Sequence, residues 1–168
     1  MIGIGTLDIS DGDTLLSVAK FLRAEAHLLD AGEFKKWLEL FIVNGIYWIP
    51  SQRGQTDPKG CPSIIYEDTS ILNMRIERLM STRNYAAIPI PRTVHFLSNL
   101  EVSHSGSTGD LHAESALMVV EYRDPKKRLF AGQCTHLLRP HEDTFKIVMT
   151  RFELIDCDGV HDVISVPM

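Results

Sequence analysis

The chain has 168 residues, of which 44% are hydrophobic and 23% charged, and its formal net charge is −5. This length fits one hydrophobic core, so we expect a single domain over residues 1–168. No apolar run reaches the roughly 18 residues of a membrane-spanning helix. The basic residues are scattered and form no stripe that could bind a phosphate backbone. The composition therefore argues against a membrane or nucleic-acid partner.

The two ends of the chain are predicted to be tails, over residues 1–12 and 160–168. The first of them lacks the basic start and the sustained apolar stretch of a signal peptide, so we expect it to be flexible and the protein to be cytoplasmic. The cysteines Cys61, Cys134 and Cys157 are odd in number and far apart. This spacing is typical of reduced, structural thiols and argues against a disulfide scaffold or a thiolate metal site.

The first half of the chain has mainly helical periodicity. Residues 14–29 place apolar side chains at spacings of three and four, which predicts an amphipathic helix, and residues 33–41 predict a second helix. Residues 43–49 are β-branched and aromatic and predict a strand. The polar, turn-rich segment at 51–63 predicts a surface loop.

A third helix is predicted after residue 68, where Asp68, Thr69 or Ser70 can cap it. Its apolar face is predicted to hold five side chains, with Arg75, Glu77 and Arg78 directed toward water. The five are Ile71, Leu72, Met74, Ile76 and Leu79. Pro89 and Pro91 then exclude further helix.

From Arg92 onward the hydrophobic period changes from about 3.6 to two, which predicts strands. In the first strand we expect Val94, Phe96, Leu100 and Val102 to share one face. Strands at 111–122, 128–138 and 144–156 follow, separated by short turns that predict an antiparallel meander. Gly106, Gly109 and Gly132 are candidate positions for bulges.

This order of elements predicts an α+β fold, a cone-shaped roll with the N-terminal helices packed on the concave face of a strongly curved, mostly antiparallel sheet. The open end of the cone is a natural pocket. We expect the opposite face of the sheet to form an oligomer interface. Its apolar residues are predicted to be Leu117, Val119, Phe130, Val148 and Phe152.

Asp30, Tyr47 and His95 are the candidate catalytic residues. A carboxylate can orient an imidazole, and a phenol can donate a hydrogen bond to a developing oxyanion. The alternative is a structural cluster that joins helix to sheet, in which Arg92 neutralises Asp30 or Asp68. The sequence favours this structural interpretation.

A second candidate site is formed by His136, His141 and Asp143, since two histidines and a carboxylate hold non-haem iron in many proteins. Pro140 and the location at a strand end argue against it, because the side chains need not share a face. No glycine-rich phosphate loop or nucleophile elbow is present. We therefore expect no metal site and no cofactor site in this chain.

Several short segments follow one another in a specific order along the chain. They are Trp37-Leu38-Glu39-Leu40, Tyr47-Trp48-Ile49-Pro50, Tyr66-Glu67-Asp68, the helix residues Leu72, Arg75, Ile76, Arg78 and Leu79, then Pro91-Arg92-Thr93 with His95, and Ser98-Asn99-Leu100. In their order and spacing these segments resemble the small (beta) subunit of aromatic-ring-hydroxylating dioxygenases. The resemblance covers most of the chain.

The resemblance implies the cone of nuclear-transport-factor-2-like and cystatin-like proteins, and a structural, non-catalytic subunit in aromatic catabolism. Such subunits form a homotrimer beneath a trimer of large (alpha) subunits, which carry the Rieske cluster and the mononuclear iron. Docking is expected through the loop at 51–62 and the helix at 66–83. The residues expected in a structural cluster or at the docking surface are Asp68, Arg75, Arg78, Arg92 and His95.

The same cone also resembles stand-alone dehydratases and isomerases of that superfamily. By this alternative, Asp30, Tyr47 and His95 would act in the pocket on a small aromatic or polyketide-like molecule.

Overall fold

The computed structural model describes residues 12–81, 90–105 and 108–168. Most of the predicted N-terminal tail, the end of the predicted docking helix beyond Ser81, Pro89 and Gly106 lie outside these residues. None of the described helices has the length and apolar character needed to cross a membrane. The elements in chain order are α1 (Gly12–Asp30), α2 (Phe34–Leu38), β1 (Phe41–Pro50), β2 (Ser63–Asp68), α3 (Thr69–Met80), β3 (Arg92–Ser105), β4 (Asp110–Arg123), β5 (Lys126–His141) and β6 (Thr144–Leu154).

The strands form one six-stranded sheet in the order β2-β1-β6-β5-β4-β3. Every neighbouring pair is antiparallel except β1 and β6, which run parallel. The meander from β3 to β6 is thus as predicted, and the first hairpin joins it along β6. The α+β fold, with helices packed on a mostly antiparallel sheet, is confirmed.

The predicted first helix is confirmed as α1, which lies against β3. Its buried stripe includes Val18, Leu22 and Leu29, each no more than 4% exposed. Fully burying one such side chain contributes about 1.5–3 kcal/mol relative to leaving it in water. The helix is therefore held by its packing on the sheet rather than by its intrinsic propensity.

The second helix and the strand β2 both differ from the sequence prediction. The helix predicted over 33–41 ends at Leu38, because the backbone carbonyl of Leu40 accepts from Ile147 N–H at 2.8 Å and draws the chain into the sheet. Strand β2 was not predicted. It is six residues long and pairs with β1 from Ile46 opposite Asp68 onward, so the pairing partner and not local alternation defines it.

Helix α3 begins where the sequence indicates. The Asp68 carboxylate accepts from the backbone N–H groups of Ser70 and Ile71, both at 2.9 Å, and so confirms one of the three candidate caps. Capping of this kind is worth about 1 kcal/mol.

The apolar face of α3 is narrower than predicted. Leu72 and Ile76 are buried, but Ile71 and Met74 are 44% and 58% exposed, so their assignment to the core face was wrong. Arg75 is not directed toward water either. Its guanidinium lies against the Glu67 carboxylate of β2, because the hairpin that the sequence did not reveal passes beneath the helix.

The two faces of β3 are also reassigned. Val94 and Phe96 are 49% and 50% exposed, and the His95 side chain between them is only 2% exposed. The pairing register with β4 shifts between Ser98 and Glu101, after which Val102 faces the core. The prediction that one face of β3 carries all four apolar residues was wrong, because this shift reverses the alternation of inward and outward side chains within the strand.

The predicted oligomer face of the sheet was wrong as well. Leu117, Val119, Phe130 and Phe152 are at most 6% exposed and belong to the core beneath the helices. A period of two separates the faces of a strand but does not tell which face the helices cover. Among the exposed apolar residues of the sheet are instead Val94, Phe96 and Leu129, on the outer face of β3 and β5.

Residues 160–163 are mostly exposed, whereas residues 164–168 pack against the core. Ile164, Val166 and Met168 are buried, and two arginines hold their backbone. Arg75 donates to the carbonyl of Ile164 at 3.2 Å, and Arg128 donates to the carbonyl of Val163 at 3.1 Å. The cone is thereby closed on one side by its own C-terminal residues.

Gly132 of β5 has less room for a side chain than any other described glycine, and this allows a test of the packing between β5 and β6. A Cβ at this position would lie 1.9 Å from the carbonyl oxygen of Glu153. We expect Gly132→Ala to lower the free energy of unfolding by about 3 kcal/mol or more, because backbone must move. Chemical denaturation measures the change. Gly12→Ala, with nothing within 4 Å, is the control, and equal effects of both substitutions would contradict the close approach.

Candidate functional site

Asp30 and His95 meet where the end of α1 faces β3. The His95 Nδ1 lies 2.6 Å from Asp30 Oδ1, and the backbone N–H of His95 donates to Oδ2 at 3.1 Å. The Thr93 hydroxyl donates to Oδ1 at 3.0 Å. Three hydrogen bonds from one strand thus fix the carboxylate at the end of the helix.

The orientation of His95 follows from this contact. Because the carboxylate only accepts hydrogen bonds, Nδ1 carries a hydrogen and the ring is held with Nε2 directed away from Asp30. Nε2 is buried and has no hydrogen-bond partner among the residues that the structure describes. A buried polar atom without a partner is uncommon and marks a place where a further group can bind.

The Tyr47 side chain is hydrogen-bonded to the backbone of Met168 and not to Asp30 or His95. Its hydroxyl accepts from the backbone N–H of Met168 at 3.0 Å and lies 3.2 Å from the Met168 carbonyl. Burial raises the pKa of the Tyr47 phenol. The structure therefore brings Asp30 and His95 together, whereas the phenol of the candidate trio is engaged by the main chain.

The basic residues of the expected cluster have other partners. The guanidinium of Arg92 lies 5.0 Å from the centre of the Tyr122 ring, so Asp30 depends on Thr93 and His95 instead. Asp68 caps α3, as described above. Arg78 is exposed on the outer side of α3.

A cavity of about 580 Å³ opens between α1 and β3 above this pair. Its apolar wall includes Leu22, Ala26, Leu97 and Leu100, and its polar wall consists of Arg23, His27, Asp30, His95, Ser98 and Ser115. A void of only about 10 Å³ lies deeper, between His95, Glu25 and His136. The mouth of the cone is thus open and its interior is filled.

A second carboxylate–histidine pair lies in that interior. Glu25 of α1 accepts from Trp37 Nε1 at 3.1 Å through one oxygen, and the other oxygen is 3.0 Å from Nε2 of His136 on β5. The sulfur of Cys134 lies 3.8 Å from His136 Nδ1. The Glu25 and His136 side chains are 7% and 3% exposed, so this is a fully buried ion pair.

The pKa values of the buried pair move apart. Burial raises the pKa of Glu25, but the adjacent His136 and the hydrogen bonds from His136 and Trp37 outweigh burial, and the pKa lies below its usual value. Burial lowers the pKa of His136, but Cys134 and Glu25 outweigh it, and the pKa lies well above its usual value. Both groups are therefore charged at neutral pH.

The sequence analysis missed this pair, although a signal was present. Glu25 stands within the apolar stripe of α1, flanked by Leu22 and Leu29, and a carboxylate there needs a buried partner. His136 was instead weighed as an iron ligand with His141 and Asp143. His136 faces the core and the other two side chains are exposed, so the three do not converge.

Potential metal ligands are dispersed. Within residues 12–81, 90–105 and 108–168, no group of three histidine, cysteine, aspartate or glutamate side chains is arranged to hold a metal ion. Cys61, Cys134 and Cys157 are free thiols.

The fold, with helices packed on one six-stranded and mostly antiparallel sheet, is that of the cone-shaped proteins related to nuclear transport factor 2. The family model "Ring hydroxylating beta subunit" matches residues 24–158. The chain therefore belongs to the ring-hydroxylating beta-subunit family, and the resemblance seen in the sequence is confirmed. This membership supports a dioxygenase small subunit over the stand-alone dehydratase or isomerase.

Individual relatives agree with the family model. The chain is 31% identical over 136 residues to the small subunit of anthranilate 1,2-dioxygenase from Acinetobacter baylyi, covering 78% of this chain and 83% of that one. It is 29% identical over 156 residues to the small subunit of 2-halobenzoate 1,2-dioxygenase from Burkholderia cepacia, covering 90% and 93%. The beta subunit of benzoate 1,2-dioxygenase from Burkholderia mallei superposes with a TM-score of 0.69 at 25% identity, covering 83% and 89%.

The buried pair predicts how stability depends on pH. A histidine whose pKa is raised by folding stabilises the protein fully below its unfolded-state pKa near 6.5, and that contribution is lost as the pH rises through the folded-state pKa. At pH 6 we expect Glu25→Gln to lower the free energy of unfolding by about 3 kcal/mol, because it leaves His136 without its counter-charge. The glutamine keeps an acceptor for Trp37.

Denaturant titrations from pH 6 to pH 9 measure both quantities. The natural chain loses stability over this range, and the variant loses less. Glu101→Gln, at an exposed carboxylate on β3, is the matched control and should change the free energy by no more than about 0.5 kcal/mol. Identical pH slopes for the natural chain and Glu25→Gln would show that the pair is not ionised as described.

Proposed function

We propose that this chain is the structural small subunit of an aromatic-ring-hydroxylating dioxygenase, which holds large subunits in one assembly and binds no cofactor of its own. The iron and the Rieske cluster belong to the large subunit, and the assembly acts in the cytoplasm on aromatic compounds. The observation that carries the proposal is the family match over residues 24–158. The filled interior supports it, because Glu25, Tyr47 and His136 are engaged with the protein itself.

Docking of the large subunit is proposed to use the exposed side of α3. Ile71, Met74 and Arg78 are spaced by three and four residues and are exposed on one side of this helix. Two exposed apolar side chains with one cation are typical of a helix that contacts a partner.

The loop that follows β1 is proposed as the second part of the docking surface. The Gln55 side chain holds it from inside, because Nε2 donates to the carbonyls of Asp57 and Cys61 and Oε1 accepts from Ser51 N–H at 3.1 Å. A loop held in one conformation loses little entropy when it binds.

Trimer formation is proposed to use the outer face of the sheet. Val94 pairs with Val120, and Val120 pairs with Leu129, so these three lie in one row across β3, β4 and β5. Phe96 pairs with Met118 in the next row. Phe96 and Leu129 are 50% and 60% exposed, which is unfavourable for an isolated chain and is relieved by a second copy.

Co-expression with a large subunit of the same class, followed by mass determination of the purified assembly, tests the proposal. We expect a complex of three small and three large chains. Met74→Glu should leave a small-subunit trimer that no longer retains the large subunit, because a charge is placed in an apolar contact. Phe96→Glu should instead prevent the trimer itself.

Leu16→Glu is the control, since Leu16 is 53% exposed and belongs to α1, which is part of neither proposed surface. It should leave the assembly intact. Circular dichroism of each variant separates a lost contact from a lost fold. A chain that stays monomeric and never co-purifies with a large subunit would contradict the proposed function.

A further inference from the structure

Apart from Phe96, the residues that line the cavity between α1 and β3 belong to neither of the proposed assembly surfaces. The cavity has a volume of about 580 Å³, which lies within the range of small-molecule sites, roughly 300–1,000 Å³. It is formed by a single chain, so what it binds does not depend on the proposed function. We propose that this cavity is a binding site for a small organic anion with an apolar body.

The apolar body is indicated by the walls. Leu22 and Ala26 of α1 face Leu97 and Leu100 of β3 across the cavity, and two of these side chains are among the buried core residues. A site with two aliphatic walls favours a flat or elongated hydrocarbon group.

The negative charge is indicated by the rim. Arg23 and His27 lie one turn apart on α1, and both line the cavity. Arg23 forms no ion pair with any residue that the structure describes, so its permanent charge is available to an occupant. Asp30 is the acidic side chain in the lining, and its oxygens already accept from Thr93 and His95.

Two further polar atoms in the wall lack partners. His95 Nε2 and Ser115 Oγ are both buried, and neither has a hydrogen-bond partner among the described residues. Both residues line the same cavity. The Ser115 hydroxyl can donate to an anionic group of the occupant, which would supply the hydrogen bond that this hydroxyl lacks.

A matched pair of fluorescent probes tests this site on the purified full-length chain. 8-Anilino-1-naphthalenesulfonate is an anion with an apolar body, and N-phenyl-1-naphthylamine has the same body without the sulfonate. We expect the anion to bind more tightly. Arg23→Gln should weaken the anion about fivefold, the effect of one partly exposed charge contact, and leave the neutral probe unchanged. Lys20→Gln is the control, because Lys20 is exposed on the same helix and does not line the cavity.

A second pair of variants tests the location. Ala19 lines the cavity and Ala24 is exposed elsewhere on α1. Ala19→Trp should abolish binding of both probes, and Ala24→Trp should not, with circular dichroism confirming that both variants are folded. The proposal is overturned if the anionic probe does not bind, if both probes bind equally, if Arg23→Gln and Lys20→Gln have the same effect, or if Ala19→Trp binds as the natural chain does.

Discussion

One buried carboxylate organises the interior of this protein. Glu25 uses both of its oxygens, one for Trp37 of α2 and the other for His136 of β5, and so ties two helices to the middle of the sheet. Trp37 in turn packs edge-on against Phe41 and Tyr47, which begin and continue β1. If either charge of the pair were lost, the other would remain buried without compensation, at a cost of several kcal/mol. The order of the core around α1 depends on this contact.

The position of the pair explains how the cone is divided. Below it the interior is closed by Tyr47 and the C-terminal residues, which Arg75 and Arg128 hold in place. Above it the second pair, Asp30 with His95, borders the open cavity. The two pairs therefore fix α1 to β3 at the cavity and to β5 in the interior. This division of the cone into a closed interior and an open cavity is compatible with membership of the ring-hydroxylating beta-subunit family.

The sequence predicted the elements better than their faces. Periodicity located α1, α3 and all four meander strands, because the spacing of apolar residues differs between helices and strands even where the predicted faces are wrong. It could not tell that Phe96 faces outward and Phe152 inward, since alternation alone does not identify the covered face. It could not find β2 either, because that strand is defined by its pairing with β1. Of the candidate site, the contact between Asp30 and His95 was foreseen, but the Glu25–His136 pair was not, because its two members are far apart in sequence and meet only after the sheet forms.

The charge state of His136 tests whether a buried ion pair holds the helices to the sheet. Nitrogen-15 NMR of the histidine rings at pH 7.5 distinguishes an imidazolium, with both ring nitrogens protonated, from a neutral ring. The structure predicts an imidazolium at His136 that becomes neutral in Glu25→Gln. A neutral His136 in the natural chain at this pH would show that Glu25 and His136 do not form an ion pair.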